Sequence, residues 1–341
     1  MNKGFTYRDA GVDLDAAQET KGALFELVRS TRTEFVSSDV GSFGGRFRST
    51  EGRELVASAD GVGTKLKVAF LANRHDTVGA DLVNHCVNDI LVEGARPLIF
   101  MDYVACGTLN PDVVTDVVSG LARACRTNQC ALLGGETAEM PDFYAPGEYD
   151  LAGFIVGEVA FPEVAARDLC PGDKILGIGS SGIHTNGYSF VRELFFNRMG
   201  LKVTDPFPGL DATVGDVLLR THQTYLPVLE SSLEAGSIRG LAHVTGGGIP
   251  GNLNRILGET TDAVVYADTW ELPHEFRVIA DESGTEVAEL FRVFNMGIGM
   301  MAIVHPPDVD TVLSSIKSSG CTVFECGELI EGEGNVRLEG F

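Results

Sequence analysis

The chain has 341 residues, with 26 lysines and arginines against 48 aspartates and glutamates, a formal net charge of −22. That balance excludes a nucleic-acid backbone as partner, because polymeric phosphate is held by basic surfaces; any phosphate group must be gripped locally by loops, single basic side chains or a metal. No apolar run approaches membrane-spanning length, so no membrane partner is expected, and the length exceeds what one hydrophobic core usually serves, which predicts two domains.

The pattern in chain order is that of a mixed α/β (α+β) fold. A helix is predicted around Leu14 to Ser30 and a strand at Glu54 to Ala59, running into "ASADGVGTKL". In that turn Gly61 and Gly63 let backbone N–H groups approach an anion, with Thr64 beside them. Lys65 is positioned to meet the anion and Asp60 to hold a cation next to it. The order Gly63-Thr64-Lys65 is not a Walker A loop, which needs Gly-Lys-Ser/Thr in sequence.

A helix is predicted over Val78 to Glu93. At about 100° per residue, Asp81, Asn84, His85, Asn88 and Asp89 form one face, while Leu82, Val83, Cys86, Val87, Ile90 and Leu91 fill the other. Aspartate and asparagine are poor helix formers, so their density asks for a function. Asp81 and Asp89, about two turns apart, are expected to join Asp60 in holding magnesium, which takes one or two carboxylates plus water and phosphate oxygens. His85 is read as a hydrogen-bonding neighbour.

A strand at Leu98 to Ala105, a helix after Pro111 and a short strand at Ala131 to Leu133 follow, then "LLGGETAEMPDFY". Here Gly134-Gly135 is read as a turn at a strand's carboxyl end, presenting Glu136 as metal ligand or polariser and Thr137 as a phosphate or sugar contact. "YDLAGFIVGEVA" is a further strand, and Pro171-Gly172 marks the passage to a second domain, dividing the chain into 1–168 and 169–341.

The second half alternates again, with strands near Lys174 to Gly179, Leu241 to Val244, Ala263 to Tyr266, Met296 to Val304 and Thr322 to Gly327. "GIGSSGIHTNGYSF" ends a strand with Ser181, His184 and Asn186 before a helix from about Gly187, a layout suited to a phosphate monoester, with His184 orienting or protonating it. "HVTGGGIPGNL" sets Thr245, Gly246, Gly247 and Gly248 at another strand end, where three glycines in a row point to close approach of a ligand or another backbone. "FNMGIGMM" is read as a strand packed on another backbone. Seven cysteines without a C-x-x-C pair disfavour disulfides and zinc and fit a reducing cytoplasm.

Seven stretches in order, "YRDAGVDLDA", "DGVGTKL", "DTVGADLVNHCVNDILVEGARPLIFMDYVACG", "GGETAEMP", "GSSGIHTNGYS", "TGGG" and "FRVFNMGIGM", resemble the phosphoribosylformylglycinamidine cyclo-ligase (aminoimidazole ribonucleotide synthetase) family over nearly the whole chain. The resemblance implies a two-domain α/β chain, dimeric through N-terminal domains whose strands form a barrel between subunits. It also implies ATP-dependent closure of formylglycinamidine ribonucleotide to the aminoimidazole ribonucleotide, with magnesium as cofactor. It assigns Asp60, Lys65, Asp81, Asp89 and Glu136 to nucleotide and metal, and His184, Asn186 and the Thr245 to Gly248 turn to substrate, with Lys65 and His184 catalytic. The chain departs from the family pattern at Ser37, Ser38 and Asp39, where glycines are usual, and at Thr185, where serine is usual.

Overall fold

Period-2 apolar alternation builds two sheets, and the computed structural model describes residues 6, 8, 10, 11, 24–38 and 41–341. The first sheet holds β1 (Gly45–Arg48), β2 (Glu54–Gly61), β3 (Ala95–Cys106), β4 (Ala131–Glu139) and β5 (Tyr149–Val159) in the order β1-β2-β5-β3-β4. Only β3 and β4 run parallel. A parallel pair needs a crossover, supplied by helix α3 (Pro111–Thr127). Its start is fixed by Asn110, whose side chain accepts from the Asp112 N–H at 3.1 Å, with Pro111 in the first turn. Between β2 and β3 lie α1 (Lys65–Ala72) and α2 (Val78–Leu91).

The second sheet holds β6 (Lys174–Gly179), β7 (Ile238–His243), β8 (Thr261–Tyr266), β9 (Ile298–Val304), β10 (Val323–Glu331) and β11 (Val336–Glu339), ordered β11-β8-β10-β6-β9-β7. β9 is buried along its whole length. Two short helices flank the loops of interest, α4 (Tyr188–Arg192) and α5 (Gly248–Leu253). The expected division at residue 168 falls between β5 and β6, and ion pairs bridge it: Arg96 meets Glu230 at 2.5 Å and Glu234 at 2.6 Å.

Several elements differ from the sequence expectation. β4 does not stop at Leu133; it continues through Gly134-Gly135 to Glu139, paired with β3 down to Cys106. The glycines permit strand pairing and do not form a turn: a Cβ on Gly135 would lie 2.4 Å from the Asp102 carbonyl oxygen. β1, β11 and α1 were not anticipated, being too short or too evenly apolar to carry a period. Residues 24–29 are helical; the rest of the helix expected over Leu14 to Ser30 lies outside the described residues, as does Asp39.

One face of the first sheet is covered by α2, which packs on β2, β3 and β5. The other face is open and apolar. Phe154, Met101 and Leu133, on three adjacent strands, are exposed there by 46%, 40% and 64%.

Candidate active site

All fourteen residues of α2 are buried, the polar arc as well as the apolar one. The apolar arc packs on the sheet; the polar arc is covered by residues 220–225 of the second half. Asn84 Nδ2 donates to the His222 carbonyl at 2.7 Å and Asn88 Nδ2 to the Gln223 carbonyl at 2.8 Å, while the Tyr225 N–H donates to Asn88 Oδ1 at 3.0 Å. The His222 N–H donates to Asp81 Oδ1 at 2.6 Å. An extended segment with no strand to pair with must find partners for its backbone, and the amides of α2 supply them. Much of the face expected to meet a ligand is therefore a seam between the two halves.

Two of the expected residues lie inside that seam. Lys65 is the first. Its ammonium is buried, ion-paired with Asp81 Oδ2 at 2.8 Å, and donates to the carbonyls of His184 at 3.0 Å and Arg220 at 2.7 Å. Burial pulls the Lys65 pKa down and pushes that of Asp81 up, so their charge separation is held by the contact itself. Asp81, with one oxygen on Lys65 and the other on the His222 N–H, is not presented to the cleft as a metal ligand.

Asp60 and Asp89 are a different case. Asp60, next to last in β2, has its side chain part-exposed, accepting from His85 Nε2 at 2.8 Å through one oxygen and from the Gly61 N–H at 2.6 Å through the other. Asp89 Oδ2 lies 3.8 Å from the same imidazole nitrogen, and its Oδ1 accepts from His243 Nδ1 at 2.8 Å. Burial alone would lower the His85 pKa; Asp60 and Asp89 outweigh it and hold it at about 9. The protonated ring then donates from both nitrogens, the second to Thr185 Oγ1 at 2.9 Å.

From Thr185 the hydrogen bonds run on to His222 Nδ1 at 3.3 Å, then between His222 Nε2 and His243 Nε2 at 3.0 Å, and end on Asp89. Burial, reinforced by the neighbouring imidazoles, lowers the pKa of His222 and, despite Asp89, that of His243. With both neutral, one consistent direction satisfies every proton: Thr185 to His222 to His243 to Asp89. Asp60 and Asp89 are thus joined by an unbroken chain of three imidazoles and one hydroxyl. His222 and His243 were not singled out by the sequence; the only available signal was that His243 precedes the "TGGG" turn.

His184 sits in the left-handed region at φ 66°, buried, with Nε2 accepting from the Ser181 N–H at 3.3 Å and Nδ1 without a partner. Its ring stacks on His222, centroids 3.9 Å apart and planes within 21°. Burial, with the imidazole of His243 and the Lys65 and His85 cations close by, depresses its pKa well below the ordinary value, so it is neutral and not a ready proton donor at physiological pH. Its room is made by Gly299 on β9, where a Cβ would come within 2.5 Å of the His184 ring and 2.0 Å of the Tyr225 hydroxyl.

The remaining expected residues divide between mouth and frame. Gly63 and Thr64 are exposed, and Thr64 Oγ1 lies 3.1 Å from Ser189 Oγ. The Ser181 hydroxyl is committed to the Thr221 carbonyl at 2.6 Å. Asn186 is half-buried, with its Oδ1 3.2 Å from where a Cβ on Gly246 would stand. The turn itself is held by Asn252, whose Nδ2 donates to the carbonyls of Thr245, Gly246 and Gly248, while Thr245 Oγ1 donates to its Oδ1 at 3.2 Å. Gly248 is structural: at φ 62°, a Cβ would stand 1.7 Å from the Phe291 carbonyl oxygen. Thr245, Gly246 and Gly247 remain part-exposed. Glu136 and Thr137 are not gathered with Asp60: they lie exposed on β4, three strands from β2 and so about 14 Å across the sheet.

Two trios among the described residues bring ligand atoms within 4.8 Å of one another: His184, His222 and His243, and His85, Asp89 and His243. The first cannot converge on one ion, because nearly parallel stacked rings direct their in-plane lone pairs alongside each other. Asp60 and Asp89 suit a hard cation better, since each carboxylate oxygen retains a lone pair after its present hydrogen bond, and magnesium needs only one or two protein carboxylates.

The model of the AIR synthase related protein N-terminal domain matches residues 41–159 and that of its C-terminal domain residues 170–339. A phosphoribosylformylglycinamidine cyclo-ligase of Alkaliphilus metalliredigens is 45% identical over 338 residues, covering 98% of this chain and 97% of that protein. One from Thermoanaerobacter sp. is 44% identical over 335 residues, 97% and 99% of the two chains. Among solved structures, a thiamine-monophosphate kinase from Stenotrophomonas maltophilia superposes with a TM-score of 0.65 at 19% identity, over 93% of this chain and 96% of that one, a likeness of fold.

Proposed function

The chain belongs to the phosphoribosylformylglycinamidine cyclo-ligases of the AIR synthase related family, and we propose a division of labour among its residues on that footing. It is a purine-biosynthetic ligase that uses ATP to close formylglycinamidine ribonucleotide into 5-aminoimidazole ribonucleotide. ATP phosphorylates the formyl oxygen, an amine nitrogen of the same molecule attacks the activated carbon, and the C–O bond breaks to release phosphate, with one proton lost as the ring becomes aromatic. No protein nucleophile is needed; the protein's task is orientation and charge.

Asp60 and Asp89 hold magnesium on the triphosphate, with Gly61, Gly63 and Thr64 offering backbone and hydroxyl donors. When bound, the ion neutralises charge that accumulates on the phosphoryl oxygens. The observation that carries this reading is the separation of the carboxylates: Asp81 is sealed onto Lys65, whereas Asp60 is part-exposed and Asp89, just beneath the surface, is joined to it through His85. Lys65 and Asp81 are positioning residues, fixing the carbonyl of His184 and thereby the loop that carries Ser181 and Asn186. Asn186 with Thr245, Gly246 and Gly247 receives the ribonucleotide, since these residues remain part-exposed beside one another.

Residues 1–168 serve nucleotide, metal and dimerisation, and 169–341 contribute substrate loops. The open apolar face of the first sheet supports a homodimer in which two such faces meet, since patches of this kind mark association surfaces. Glu136 and Thr137, on the edge strand of that face, belong to the subunit boundary and reach the nucleotide only from there. No helix among the described residues is long and apolar enough to cross a membrane, and seven free thiols support a reducing cytoplasm. The test is one assay with ATP, magnesium and formylglycinamidine ribonucleotide: ADP, free phosphate and the aminoimidazole ribonucleotide are expected. Phosphate retained on an organic product would indicate a kinase, and no substrate-dependent ADP a binding subunit.

A further inference from the structure

Beside Thr64 lies a cavity of about 200 Å³, lined by Ser189, Arg192, Glu193, Phe196, Asn197 and Ala10. A water needs roughly 10–15 Å³ of such space, so a phosphate group fits with waters to spare. Arg192 ends α4 and is half-buried; its Nε is buried without a hydrogen-bond partner, and among the described residues none ion-pairs with its guanidinium. The nearby acids are already engaged. Glu193 accepts from Asn197 and faces Arg198 Nε at 3.6 Å, and Glu148, whose charge Arg192 feels, is bound to Lys67 at 2.5 Å.

A partly desolvated cation with no partner is costly, and a chain with nearly two acids per base has no shortage of carboxylates to supply one. The chain past Arg192 makes a π turn over Glu193–Arg198, with the Met199 N–H reaching the Leu194 carbonyl five residues back, a form found often at functional sites. The Ser189 hydroxyl stands between this cavity and the Gly63-Thr64 turn.

From these observations we infer that the cavity is a phosphate-binding pocket, with the Arg192 guanidinium as anchor and the hydroxyls of Ser189 and Thr64 at its mouth. The inference rests on the function proposed above, which supplies two phosphate-bearing ligands, the triphosphate of ATP and the monoester of the ribonucleotide.

Thermal unfolding is measured with increasing inorganic phosphate for wild type, Arg192→Met and Arg192→Lys, with KM for both substrates determined on the same proteins. Arg192→Met is expected to unfold at or above the wild-type midpoint in phosphate-free buffer, because it removes an unpaired, half-buried charge, and to lose at least tenfold in apparent phosphate affinity. Arg192→Lys, keeping charge but not the planar fork, falls between the two. A rise of about 10–100-fold in KM for one substrate identifies the phosphate it holds. Phosphate affinity and both KM values equal to wild type in Arg192→Met, or a lowered midpoint without phosphate, would overturn the pocket. Wild-type protein that binds phosphate through Arg192 yet makes no ADP would overturn the function and leave the pocket standing.

Discussion

Replacing Lys65 by methionine separates two accounts of the most suggestive residue in the sequence. In the structure this change leaves the Asp81 carboxylate fully buried without its counter-charge and deprives the carbonyls of His184 and Arg220 of their donor. Removing one partner of a buried pair costs about 3–5 kcal/mol, and the orphaned carbonyls act in the same direction. With an m-value of about 3 kcal/mol/M in urea, the unfolding midpoint should fall by about 1 M or more. The double variant Lys65→Met/Asp81→Asn removes both charges and keeps an oxygen for the His222 N–H, so it should recover at least half of that loss. Urea denaturation followed by far-UV circular dichroism measures both. An ammonium that worked on phosphate would give the opposite pattern: unchanged unfolding in Lys65→Met, a collapse of turnover, and no recovery in the double variant. That result would refute the assignment of Lys65 and Asp81 to the frame.

Asp60→Asn keeps a hydrogen-bond acceptor for His85 but removes one of the two carboxylates beside it; turnover should fall at least tenfold and the magnesium requirement rise, stability at neutral pH should fall by part of the His85 contribution because Asp60 is foremost among the charges that raise the His85 pKa, and an unaltered magnesium titration would remove the ion from Asp60. The His85 pKa of about 9 lies above its unfolded value, so its contribution is complete below about pH 6.5 and is lost as pH rises through 9. This is on the order of 3 kcal/mol that His85→Gln should abolish from the stability profile, and parallel profiles for the two proteins would contradict it. Phe154→Lys places a charge in the middle of the open sheet face and should convert a dimer to monomers in sedimentation equilibrium; a wild-type protein that is itself monomeric would remove the proposed association.

The sequence by itself determined the elements that carry a strong period and the places where chemistry interrupts it. The amphipathic arithmetic of Val78 to Leu91, the glycine turn after β2 and the hydroxyl-rich loop before α4 all depend on neighbours within a few residues, and local spacing encodes them. Seven ordered motifs sufficed to indicate the family. What lay opposite each side chain was decided only in three dimensions. Asp81 and Asp89 share a helix face, yet Asp81 is closed over by residues 220–225 while Asp89 meets His243, and neither partner stands within 130 residues of its carboxylate in the chain. Gly134-Gly135 looks like a turn and is a strand, because the need for glycine is set by the Asp102 carbonyl on the adjacent strand. Burial and ion pairing are properties of the completed packing, so the same lysine that reads as a phosphate ligand in one dimension becomes, once the two halves close, the internal cation that holds them in register.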